Sequence, residues 1–148
     1  MAKAKTPLQK AKDKAWKQFS RFIRLRDCLA TTGDIDWGIC ITCGLRFHFK
    51  ELQAGHFVPG RGNAVLFDED ITHAQCAKCN IWLYGNLIEY YPKMLKLYGE
   101  ERVEQMKALR HESIKYSMED YLQIAQNYKD LGDLLVTNKE NLRPRANG

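Results

Sequence analysis

The chain has 148 residues, 45% of them hydrophobic and 11% aromatic, which describes one folded domain and excludes a wholly disordered protein. No run of about 18 apolar residues is present, so no membrane span is expected, and Met1–Lys14 has charge without a following apolar stretch, unlike a secretory signal. The net charge is +5, but residues 1–26 hold nine Lys and Arg against one acid, Asp13, a balance of +8 that leaves −3 on the remainder. A basic segment on a near-neutral body suits a polyanion, nucleic acid first; the plain alternative is a solvated helix face.

In chain order, Thr6-Pro7 predicts a helix start, with a capping hydroxyl followed by proline at the first helical position. Leu8, Ala11, Ala15, Phe19, Phe22 and Ile23 then give an apolar stripe to about Arg26, with Trp16 widening it. Lys10, Lys14, Lys17, Arg21 and Arg24 lie outside that stripe and are candidate phosphate contacts, joined by Arg61 and Lys78 further on. Residues 29–38 read as a loop. Leu45–Phe49, Leu52–Val58, Ala64–Phe67 and Ile71–Gln75 read as short extended pieces, and a short helix is expected from Cys76 to Tyr84, stopped by Gly85-Asn86. In the C-terminal third, Pro92 is expected to start a helix ending at Gly99. Val103, Met106 and Leu109 mark another. Ser117 and Asp120 resemble a capping box for a last helix that Gly132 ends. Trp82 and Tyr84 are read as core residues before base-stacking ones.

Four of the five cysteines form two C-x2-C pairs, Cys40/Cys43 and Cys76/Cys79, separated by thirty-two residues. Two residues between thiolates let both reach one ion from a single turn, and two such turns complete the tetrahedron zinc prefers. Four thiolates leave no open position, so the spacing predicts one structural zinc. Cys28 stands outside the pattern as a buried helix-end residue.

Between the pairs lies Gly55-His56, and Asn80 follows the last cysteine. A neutral imidazole suits activation of water near pH 7, and an amide oxygen suits a hard divalent cation. The run Gly55-His56, Thr72-His73-Ala74-Gln75-Cys76-Ala77-Lys78-Cys79-Asn80, Gly85-Asn86-Leu87 and Tyr90 resembles the NinG/Rap family of lambdoid phage recombination endonucleases, from about Trp16 to Leu131. The relatives in view carry an N-terminal cysteine-rich extension with no counterpart here. The layout is also similar to the phage endonuclease VII family within the HNH class.

The resemblance implies a structure-specific endonuclease cutting branched recombination intermediates, Holliday junctions and D-loops, with Mg²⁺ or Mn²⁺ in the cytoplasm of a bacterial host. It maps His56 to the general base and Asn80 to a catalytic-metal ligand, and it includes His73, which can line the site, bond the backbone or pack. Two departures stand out. The Asp that usually precedes the base histidine is Gly55, which leaves Asp68, Glu69 or Asp70, with Asp70 first, as the second metal ligand. The middle Asn of the HNH pattern is Ile71, and Asn63 is the candidate substitute.

The expected fold is α+β: a zinc-bound ββα-metal, HNH-like core over 39–86, a basic helix over 1–28 and a helical region over 87–136, forming a single domain over 1–136 with a flexible tail over 137–148. A homodimer through the C-terminal helices is expected, because paired cuts across a junction need two centres. The alternative function is a non-catalytic zinc module that binds DNA or a protein.

Overall fold

The side chain of Thr6 accepts from the Gln9 amide and Gln9 returns a bond to the Thr6 amide, so a complete capping box with Pro7 opens α1 (Pro7–Thr32). In this computed structural model, which describes residues 3–60 and 62–138, α1 runs past Arg26 to a left-handed Gly33. No breaker precedes that glycine, and the Thr31 and Thr32 hydroxyls bond back to the carbonyls of Asp27 and Cys28. The expected loop therefore begins four residues late. It is followed by β1 (Trp37–Ile39), β2 (Arg46–His48), β3 (Leu52–His56), α2 (Asn63–Leu66), β4 (Thr72–Cys76), a π-helical turn (Lys78–Trp82), α3 (Leu87–Tyr98), α4 (Glu100–Ala108) and α5 (Met118–Thr137).

Several boundaries differ from the sequence reading. Ala64–Leu66 is helical rather than extended, with Phe67 as its cap, because the Val65 and Leu66 amides both bond to the Gly62 carbonyl and these two side chains are buried. Pro92 lies inside α3, which starts at Leu87; the carbonyl left without its helical donor belongs to Ile88, an exposed residue. Gly132 does not end α5. A Cβ there would stand 2.7 Å from Arg21 Nη1, so the glycine lets the helix approach α1. The expected tail from residue 139 on, and Arg61, lie outside the described residues.

The apolar stripe of α1 is the centre of the molecule, not an arm beside it. Ala11 and Ala15 pack on Tyr121 and Ala125; Phe19, Phe22 and Ile23 pack near Tyr128 and Leu135. Early residues of α1 thus meet early residues of α5, and the two helices run the same way. A second core joins Phe57, Val58, Val65 and Ile71 to Tyr90 and Met94 of α3 and to Val103 and Met106 of α4.

Two separate antiparallel pairs make up the sheet structure, β1 with β2 and β3 with β4. In the second pair His56 opposes Thr72, Gly55 opposes His73, Gln53 opposes Gln75 and Leu52 opposes Cys76. The period of two sorts the side chains. Leu52, Ala54, His56 and Ala74 face α1, whereas Gln53, Gly55, His73 and Gln75 face the π turn and α3.

Asp27 locks α1 to the outer edge of β4. Its carboxylate accepts from the Ala74 amide (2.7 Å) and from Arg26 Nε (2.8 Å), while Arg26 also donates to the carbonyls of Glu69 and Thr72. Burial alone would push this carboxyl up; His73 and Arg26 outweigh it and hold it below the usual carboxylate range. Its contribution is present above about pH 4 and is lost as the pH falls through the lowered value. Asp27→Ala leaves a half-buried arginine and a strand amide without their carboxylate partner and should cost about 3 kcal/mol, seen as a thermal midpoint lower by roughly 10 °C at neutral pH.

Candidate functional site

Cys40 and Cys43 come from the turn between β1 and β2, Cys76 ends β4, and Cys79 lies in the π turn. Gly44, at φ +75°, turns the backbone that the first pair needs. The four sulfurs lie within 4.8 Å of one another, and Cys43 and Cys76 Sγ are 3.9 Å apart. A tetrahedral thiolate site has sulfurs about 3.8 Å apart, so this donor set can hold a metal ion such as zinc. Groups around Cys40 favour thiolate, whereas burial pushes Cys43 up to about 12 and Cys76 upward as well. Burial pushes Cys40 up, but bonds from the Cys43 backbone and the Thr42 hydroxyl outweigh it and bring the thiol to about 7. The Cys79 amide and Asn86 Nδ2 approach Cys76 Sγ and Cys79 Sγ at 3.5 Å. Cys28 is fully buried away from the cluster, and burial pushes it up to about 12.

His56 ends β3 on the α1 face. Its ring stacks on Trp16 at 5.2 Å, and its Nε2 lies 3.0 Å from the Leu66 carbonyl. A carbonyl only accepts, so Nε2 carries the proton in the neutral ring and the basic lone pair is on Nδ1. Asn80 sits in the π turn and donates from Nδ2 to Gln53 Oε1 at 2.9 Å. It opens into a cleft of about 380 Å³ along the unpaired edge of β3, shared with Trp16, Ser20, Arg24 and Gln53. Trp16 therefore touches His56 and also lines the cleft that holds Asn80.

His73 and Asp70 are placed elsewhere. His73 is buried, with Nε2 at 2.9 Å from the Tyr98 hydroxyl and 3.2 Å from the Asp70 carbonyl, and Nδ1 at 3.5 Å from Asp27. The Asp70 carboxylate pairs with Arg102 at 3.1 Å and lines a separate shallow cleft with Asp68 and Glu69. Asn63, at the start of α2, donates to the Ile114 carbonyl and the Tyr121 hydroxyl.

Of the basic residues, Lys10, Lys14, Lys17 and Lys78 are exposed, and Arg24 lines the Asn80 cleft with its guanidinium over Phe49. Arg21 is turned to α5, where it pairs with Asp133 at 3.0 Å. The expected core role of Trp82 and Tyr84 is corrected: they are 76% and 88% exposed, and Tyr84 takes a left-handed backbone, φ +51°, ahead of Gly85 and Asn86. Tyr84, Gly85 and Asn86 have three successive positive φ values, which form the turn that leads into α3.

Residues 2–138 match the family model described as Bacteriophage Lambda NinG protein. The chain belongs to that family. Similar curated proteins are Protein ninG of Escherichia phage 933W, 29% identical over 103 residues, and that of Escherichia phage lambda, 28% identical over 103 residues. Each alignment covers 68% of this chain and 50% of the relative. Protein ninG of Salmonella phage P22 is 29% identical over 99 residues, 64% of this chain and 48% of that protein. The chain thus spans about half the length of these NinG relatives. No solved structure matches the chain.

Two residues of this NinG-family site carried no role in the sequence reading. Tyr90 is fully buried and donates to the Gly55 carbonyl at 2.8 Å, pinning the strand just before His56. Gln75 is fully buried, and its Nε2 donates to the Gly85 carbonyl and the Thr42 hydroxyl. Both stand in the motif string, but only the folded contacts say what they do. Cys43→Ser should lower the metal bound per chain, measured by elemental analysis, and lower the melting temperature; Cys28→Ser should leave the metal content unchanged.

Proposed function

We propose that the chain is a divalent-metal-dependent endonuclease for branched DNA, held together by one structural zinc on Cys40, Cys43, Cys76 and Cys79. The observation that carries this reading is the cleft itself. Asn80 presents an amide to it, Arg24 supplies positive charge, and Trp16 connects it to a histidine whose basic nitrogen is Nδ1. The order β3, β4, π turn, with cysteines tying strand to turn, supports an HNH-like ββα-metal core.

In this reading His56 Nδ1 takes the proton of a water attacking the phosphorus, and the 3′-oxygen leaves. A bound Mg²⁺ or Mn²⁺ would stabilise the charge gathering on the phosphate and the leaving oxygen. Asn80 would supply an oxygen to that ion. His73, bonded to Tyr98 and flanked by Asp27, holds β4 in place instead of touching substrate. Lys10, Lys14, Lys17, Arg24 and Lys78 would carry phosphates, contacts that give affinity and register without reading sequence.

The exposed rings of Trp82 and Tyr84 stand two and four residues beyond Asn80 and suit stacking on bases unpaired at a branch point. Such stacking favours branched over continuous duplex, which is the substrate class the family resemblance implies. Paired cuts call for a homodimer. The inner face of α5 is taken by α1, so dimer contacts through the C-terminal helices fall to outward residues such as Leu122, Leu131 and Leu134.

His56→Ala should abolish nicking of a four-way junction while leaving its binding intact; equal loss of binding would make His56 structural. Paired Lys14→Glu and Lys17→Glu should weaken binding to all DNA and reduce the slope of log affinity against log salt by about 2.

A further inference from the structure

HNH-type sites ordinarily use a carboxylate just before the base histidine, and here that position is Gly55. What fills the space is Gln75. A Cβ built on Gly55 would stand 1.8 Å from Gln75 Oε1 and 3.0 Å from Asn80 Oδ1. The glycine is therefore required by the glutamine, and two side-chain amide oxygens converge on the place where an aspartate would stand.

The orientation of Gln75 is set by its neighbours. Its nitrogen donates at 2.9 Å to the Gly85 carbonyl, a group that only accepts, so the other end of the amide is oxygen. That oxygen is buried and has no hydrogen-bond partner among the described residues. Asn80 Nδ2 donates to Gln53 Oε1, which turns Asn80 Oδ1 toward the same place. Two carbonyl dipoles pointing at one place with no donor between them repel each other. A hard cation relieves that repulsion and meets the oxygen preference of Mg²⁺ and Mn²⁺.

We infer that Gln75 Oε1 and Asn80 Oδ1 together form the protein half of a divalent-cation site, with Gln75 replacing the carboxylate missing at Gly55. This rests on the nuclease reading for its purpose but not for its geometry. Both ligands are neutral, so the protein alone holds the ion weakly, and a nucleic-acid phosphate supplies the negative charge that completes the site. Cation and DNA then bind cooperatively, each raising the affinity of the other by the same factor.

The test is an Mn²⁺ titration of the full zinc-loaded, ¹⁵N-labelled chain, read as paramagnetic broadening of backbone amides, without and with a four-way junction. Broadening centred on Gly55, Gln75 and Asn80, at lower Mn²⁺ when DNA is present, is the expected result. Gln75→Met should shift the midpoint up about tenfold or more. The double variant Gly55→Asp with Gln75→Ala gives the carboxylate room and should bind Mn²⁺ at least as tightly as the parent. Broadening centred on Asp68, Glu69 and Asp70, no broadening at Gly55, or an unchanged midpoint in Gln75→Met overturns the inference. Should Gln75→Met fail to fold, the double variant decides, and weaker Mn²⁺ binding in it counts against the site. Junction cleavage is measured on the same samples. Broadening at Gly55 without cleavage keeps the cation site and sinks the nuclease, whereas cleavage with broadening elsewhere does the reverse.

Discussion

The convergence of four cysteine sulfurs is the constraint on which the rest of the site depends. Neither strand pair could stand alone, because a two-stranded ribbon in water is marginal. Cys40 and Cys43 hold the first pair, Cys76 ends the second, and Cys79 anchors the π turn. A metal ion on these thiols would fix three elements at one point and thereby set the height of Asn80 above β3. Thr42, between the first two cysteines, also accepts the buried amide of Gln75, so the metal turn and the candidate catalytic strand share a side-chain contact.

Around that point the pleat of the β3–β4 pair divides the work. Its α1 face is closed by the apolar stripe of the long helix, which leaves His56 against Trp16. Its other face carries the polar set, Gln53, Gly55, His73 and Gln75, against the π turn and α3. Tyr90 fastens the two faces where they meet, by donating to the Gly55 carbonyl from a fully buried ring. The Asp27–Arg26–His73 group does the same at the outer edge of β4, where it substitutes for a further strand by accepting the Ala74 amide. Buried charge is tolerated there because each partner is bonded.

The basic segment takes a different meaning from the one its charge suggested. It is the central helix of the molecule, with its cations displayed at the rim of the packed face. Lys10, Lys14 and Lys17 remain exposed, while Arg21 pairs with Asp133 and Arg24 bends over Phe49 into the Asn80 cleft. Charge count alone cannot separate a solvated lysine from an arginine that is spent on a partner.

The sequence alone determined what local spacing controls: the two cysteine pairs, the capped starts of α1 and α5, the apolar stripe of α1 and the break at Gly85-Asn86. These depend on neighbours within a few residues, and the pattern states them directly. Tertiary structure decided whatever depends on the approach of distant segments. Gly132 reads as a helix stop until α1 is seen pressing on it, and Trp82 and Tyr84 read as core until the fold is seen to leave them exposed. Gly55 reads as a lost ligand until Gln75 is found in its place, twenty residues along the chain but directly against it across β3 and β4. Strand register and the packing of the π turn make that contact, and neither is written in the spacing of any one segment.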